Sequence, residues 1–139
     1  MDTRTNFNVP LAQIDKMGVV HHTNYPLLFE LGRREYLKKA GVPSSKIKEM
    51  GLALPLSKLV CDFLIPAKYN DELTIVTSVT HMSYVKIKFE YTILNNKNNR
   101  VIATGETVHA WSDRDIRPLN IKKVAPEIFE VLKNFAELP

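Results

Sequence analysis

The chain has 139 residues, 45% of them hydrophobic, which is enough to bury one sizeable core, and no second domain is expected. Its net charge of +4 comes from 19 Lys and Arg scattered among 15 acids, with no basic cluster longer than Arg33-Arg34 or Lys38-Lys39 and no RNA-binding aromatic signature, so a nucleic-acid module is not expected. No apolar run approaches the ~20 residues of a membrane span, no secretory pattern opens the chain, and the single cysteine cannot form an internal disulfide, so a soluble, cytoplasmic protein is expected.

In chain order, residues 4–12 alternate loosely, with Phe7, Val9 and Leu11 on one side. They read as an edge strand, consistent with Pro10, which cannot donate to a ladder. The stretch Ile14 to Tyr25 then concentrates an acid (Asp15), a flexible Gly18 and the adjacent His21 and His22 just before a helix. That helix is expected from about Tyr25 to Ala40, with Thr23 or Asn24 as N-cap, Pro26 in the first turn and Gly41 past its end. Tyr25, Leu28, Phe29, Gly32, Tyr36 and Ala40 recur at three and four residue steps and form its apolar stripe. The unpaired N–H groups at the head of such a helix can hold an oxygen that gains negative charge, and Asp15 could face that oxygen across the turn at Gly18.

A short second helix is expected at Pro43–Met50, capped by Ser44 or Ser45. Beyond Leu52 the period changes to two. One strand runs to Ile65, with Leu59, Cys61 and Phe63 on its apolar side and a change of face near Ser57, and Cys61 is expected to be a small buried hydrophobe. Alternation follows over Leu73–His81, a turn at Met82-Ser83-Tyr84, and then the clearest period-two pattern, Val85, Ile87, Phe89, Tyr91 and Ile93. Asn95–Asn99 makes a hairpin tip. Arg100–Trp111 returns as a strand in which Gly105 marks a bulge or a close approach by the long helix. Val124–Phe135 reads as a terminal amphipathic helix. His81 and His109 fall on strand patterns and are expected in core or surface positions. One strand, one long helix and then successive antiparallel strands describe an α+β domain.

The run Asp15-x-x-Gly18-Val19-Val20-x-His22-x-Asn24-Tyr25, with Phe29-Glu30-x-Gly32-Arg33 and Tyr36-Leu37 after it, resembles the signature of hotdog-fold acyl-CoA thioesterases of the 4-hydroxybenzoyl-CoA thioesterase and YbgC-like group. Pro66-Ala67-x-Tyr69-x-Asp71-Glu72-Leu73 and Ala103-Thr104-Gly105-Glu106-Thr107 extend the likeness over nearly the whole chain. One departure is Gln13, where many relatives carry a second acid. The resemblance implies an antiparallel sheet wrapped on one long helix over residues 1–139, and hydrolysis of an acyl-CoA, or of an acyl carrier protein thioester, without metal or cofactor. It also implies a homodimer or a dimer of dimers with sites between protomers.

Asp15 is then the nucleophile or general base, and the backbone N–H at His22 polarises the carbonyl. Gly18, Val19 and Tyr25 are expected beside the thioester, and Tyr84 and Lys86 at its phosphates or adenine. Glu30, where some other hotdog enzymes hold their acid, is the alternative carboxylate, or else an i+3 partner of Arg33. His21 and His22, being adjacent, diverge too far to share a metal, and Ser57 and Ser83 lie in no nucleophile-elbow pattern. A non-catalytic acyl-CoA binder with the same fold is the reading from a different functional class.

Overall fold

The computed structural model describes residues 1–139. The first strand, β1 (Asp2–Asn8), lies two residues before its expected start and stops short of Pro10, which opens a 3-10 turn at Leu11–Gln13. The long helix α1 (Tyr25–Lys39) has Pro26 in its first turn and Gly41 just beyond its end, as its punctuation predicts. The caps differ from expectation. Neither Thr23 nor Asn24 caps with its side chain. A 3-10 turn over His22–Asn24 precedes α1, and the His21 imidazole caps it.

After α2 (Ser44–Glu49), which is entered from Pro43 without a side-chain cap, the expected long strand divides into β2 (Leu52–Ala53) and β3 (Leu56–Phe63). The register shifts between Leu56 and Lys58, at the predicted change of face. β4 (Glu72–Met82), β5 (Lys86–Asn95) and β6 (Val101–Ala110) follow as a meander, and β7 (Ser112–Asp113) pairs with β2. The terminal helix begins earlier than predicted and is broken into α3 (Ile121–Val124) and α4 (Pro126–Phe135), since Pro126 cannot continue the ladder.

The five large strands form one antiparallel sheet in the order β1-β4-β5-β6-β3, so β1 and β3 are its edges. Ile87, Phe89, Tyr91 and Ile93 of β5 and Leu73, Ile75, Thr77 and Val79 of β4 turn inward, where Leu28, Phe29, Tyr36 and Leu37 of α1 meet them. Val85 lies before β5 and is exposed, and His81 is exposed beyond the register shift that follows Val79. Gly105 bears out the expected close approach: the Phe29 ring lies where its Cβ would be.

Two expectations fail at β3. Cys61 is half-buried rather than fully buried, although burial still pushes its thiol up to about 11. Leu59 and Phe63, on the same apolar face, are 39% and 54% exposed, because α1 packs mainly on β1 and β4 and reaches this edge through Tyr25 at its head.

Candidate active site

The site is built where the chain passes from β1 to α1. Val9 N–H donates to the Asp71 carbonyl (3.0 Å) and Val20 N–H to the Ala67 carbonyl (2.8 Å), fixing both ends of the strap to the β3–β4 connection. Between these anchors Ile14 and Val20 form an antiparallel bridge. Asp15 N–H donates to Val19 O (2.9 Å) and Gly18 N–H to Asp15 O (3.1 Å). Gly18 takes φ +82°, a left-handed angle that costs it little.

The Asp15 carboxylate staples the same loop. Its Oδ1 accepts from Met17 N–H (2.8 Å) and Val19 N–H (3.4 Å), while its Oδ2 accepts from no group of the chain. None of the four ion pairs includes it. One oxygen is held and the other is unengaged.

The amides at the helix head follow a simple pattern. His21 N–H donates to Gln13 O (2.9 Å), Thr23 N–H to the His21 ring Nδ1 (3.3 Å), Asn24 N–H to His21 O (3.0 Å) and Tyr25 N–H to His22 O. The His22 N–H, at the first position of the turn, has no acceptor within the chain. The Asn24 amide group ties turn to strap, donating to His21 O (3.2 Å) and Gln13 O (3.4 Å).

Asp15 and His22 line one open cleft of about 330 Å³ with Val19, Val20, Tyr25 and the run Phe63–Pro66. Tyr25 meets Phe63 edge-on at 5.0 Å, and His22 approaches the same ring at 6.5 Å. Burial raises the Tyr25 phenol above its ordinary value, so it is a neutral wall of the cleft. A carboxylate, an unpaired amide and an apolar wall are the parts that attack on an activated carbonyl requires.

The structure brings Asp15, Val19, His22 and Tyr25 together, with Gly18 at the turn behind them. Tyr84 and Lys86 are not in this cleft. They flank the β4–β5 turn at the other end of β4, on the order of 30 Å away along an eleven-residue strand. There Tyr84 packs on Phe129 (5.2 Å) under Lys122 Nζ (5.1 Å from the ring centre). Glu30 is exposed on α1 beside Arg34 and Ser44, away from Asp15, and the expected Glu30–Arg33 pair does not form. Arg33 instead donates to the Tyr91 hydroxyl (3.0 Å). The His21 and His22 rings do not diverge as expected but lie side by side, 4.3 Å apart with a 31° tilt, and no three His, Cys, Asp or Glu side chains cluster as metal ligands.

Two features escaped the sequence reading. Phe63–Pro66 as a cleft wall was signalled only by an apolar run ending at Pro66. The second is a buried chain of hydrogen bonds that begins at Arg33. Tyr91 Oη lies 2.6 Å from Thr107 Oγ1, which lies 3.0 Å from His109 Nε2, and His109 Nδ1 lies 2.9 Å from Leu54 O. The carbonyl at one end can only accept and the guanidinium at the other can only donate, so every bond runs from Arg33 towards Leu54.

A long helix wrapped by an antiparallel sheet, with a carboxylate and a free amide at the helix head, defines the hotdog fold in its thioesterase form. The chain belongs to the Thioesterase-like superfamily, whose family model matches residues 9–136. It is 30% identical to a protein of Aquifex aeolicus over 91% of this chain and 94% of that one. With the acyl-CoA thioesterase YbgC of Haemophilus influenzae it shares 32% identity over 59% of this chain and 61% of that one. Among solved structures, a DHNA-CoA thioesterase from Staphylococcus aureus superposes with a TM-score of 0.91 at 25% identity, covering 96% of this chain and 89% of that one. No helix is long and apolar enough to cross a membrane.

Proposed function

We propose that the protein hydrolyses acyl-CoA thioesters, acting as one domain over residues 1–139. The observation that carries this reading is that Asp15, with one carboxylate oxygen unengaged, shares an apolar cleft with His22, whose N–H is unpaired at the helix head. The thioester carbonyl oxygen accepts from that N–H, and the acyl chain lies against Tyr25 and Phe63.

Asp15 then takes a proton from water, which adds to the carbonyl carbon, or it attacks that carbon itself to give an anhydride that water cleaves. In either route the carbon–sulfur bond breaks. CoA leaves as the thiolate, which takes up a proton, and the acid is released. A preorganised oxyanion donor supplies on the order of 10²–10³ in rate. The names of the Haemophilus influenzae and Staphylococcus aureus relatives support the substrate class.

The active form is a homodimer or a dimer of dimers joined through β3, whose edge leaves Leu56, Leu59 and Phe63 uncovered. Tyr84 and Lys86, too far from Asp15 in the same chain, would then meet the nucleotide end of a substrate held by the partner. Thiol release from a panel of short aliphatic, long aliphatic and aromatic acyl-CoAs, with an acyl carrier protein thioester alongside, tests the reading. Release above the uncatalysed rate from at least one CoA thioester is expected. No release from any of them would leave a binding protein of the same fold.

A further inference from the structure

Every amide around His22 is occupied, and one of them is occupied by a side chain outside the family-like pattern of this stretch. The His21 imidazole accepts the Thr23 N–H at Nδ1 (3.3 Å), and the Thr23 hydroxyl lies 2.8 Å from the same nitrogen. In the tautomer that carries its proton on Nε2, Nδ1 offers one lone pair, which the Thr23 N–H and the Thr23 hydroxyl share. Imidazole is an unusual cap, yet it does here what Ser or Asn does elsewhere: it closes the first turn on a non-helical residue. The same ring stacks on His22 at 4.3 Å with a 31° tilt, and His22 in turn meets Phe63 edge-on.

We infer that His21 is a positioning residue for hydrolysis: by capping Thr23 it holds the turn in which the His22 N–H stands unpaired beside the cleft. This role rests on the thioesterase reading above. Without the cap, the Thr23 N–H must seek water or another acceptor, the 3-10 turn loosens, and the His22 N–H no longer holds one direction relative to Asp15. The donor is lost most fully in the transition state, where its hydrogen bond is strongest, so the effect falls on turnover more than on substrate binding.

The test compares His21→Ala with His21→Asn on the best CoA thioester of the panel. Asn lacks the ring and keeps a capping oxygen. His21→Ala is expected to lower kcat about tenfold with KM within about threefold, and His21→Asn to stay within about threefold of the parent in both. Amide exchange at Thr23 is expected to be fast in His21→Ala and protected in His21→Asn. Melting of each variant checks that equal folded protein is compared, and should His21→Ala not fold, His21→Phe, which keeps the stack on His22 without the acceptor, takes its place.

Parent-like kcat in the cap-less variant, or equal loss in the capped and cap-less variants, overturns the positioning role while the thioesterase reading stands. An inactive parent protein overturns both.

Discussion

The ring of Phe29 lies over Gly105, in the space that a side chain on residue 105 would need, while the Val60 carbonyl oxygen would stand 2.7 Å from the new Cβ. Phe29 cannot move away cheaply, since it stacks on Tyr91 at 4.5 Å and is fully buried. Gly105→Ala is therefore expected to destabilise the protein by about 1–3 kcal/mol through overpacking. Urea denaturation checks this. An unchanged midpoint would mean that α1 can lift from β6 without cost.

Asp15 has two duties, and they can be separated. Its Oδ1 staples the loop through the Met17 and Val19 amides, and an Asn amide oxygen can accept those same bonds. Asp15→Asn is accordingly expected to keep the fold and substrate binding and to lose at least about a hundredfold in kcat, since an amide is neither base nor nucleophile. Steady-state kinetics with calorimetric binding of a CoA thioester reads both quantities. Unchanged turnover would move the catalytic role to another carboxylate, Glu30 being the alternative.

His109 makes stability depend on pH. Burial, and then the nearby Arg33 charge, hold its imidazole down to about 4 from the ordinary 6.5, against the opposing effect of the Leu54 carbonyl. A depressed histidine means that the unfolded chain takes up the proton first. Above pH 6.5 neither state is protonated at this site and the full stability is present. Between 6.5 and about 4 the unfolded state gains a proton that the folded state refuses, so stability falls as pH falls. Below about 4 both are protonated and the loss levels off, on the order of 3 kcal/mol in all. Melting curves from pH 7 to pH 4 should show this decline, and it should shrink in His109→Gln. Equal slopes for the two proteins would remove His109 as its source.

Much of this architecture can be read from the residues, for identifiable reasons. The alternation in β5 persists because one face meets α1 and the other meets solvent, and the Asn95–Asn99 tip follows from residues that tolerate turn angles. Asp15, Val19, His22 and Tyr25 fall within eleven residues, so their convergence needs only one tight loop. What stayed hidden depends on contacts distant in sequence or unusual in chemistry. Arg33 finds Tyr91 fifty-eight positions away, whereas helix spacing offers Glu30 as its one acidic neighbour. An imidazole cap at His21 is not among the side chains by which helix starts are recognised. On β3 the period of two shows correctly that Leu59, Cys61 and Phe63 share a side. Periodicity does not state what covers that side, and within one chain little does.

That uncovered edge makes the remaining prediction. An antiparallel edge strand with unpaired backbone groups and exposed Leu56 and Leu59 is a template for a second strand, and in this chain neither helix nor loop shields it. Light scattering is expected to give a dimer or larger species for the parent and a monomer for Leu56→Lys/Leu59→Lys, because like charges would face each other across the paired edges. Both positions lie outside the Asp15 cleft, so the variant keeps that site's own residues. If the partner completes the substrate site, thiol release should fall with the loss of the oligomer and recover in part at high protein concentration. A fully active monomer would show instead that one chain holds the whole site, and Tyr84 and Lys86 would then have no part in binding the substrate.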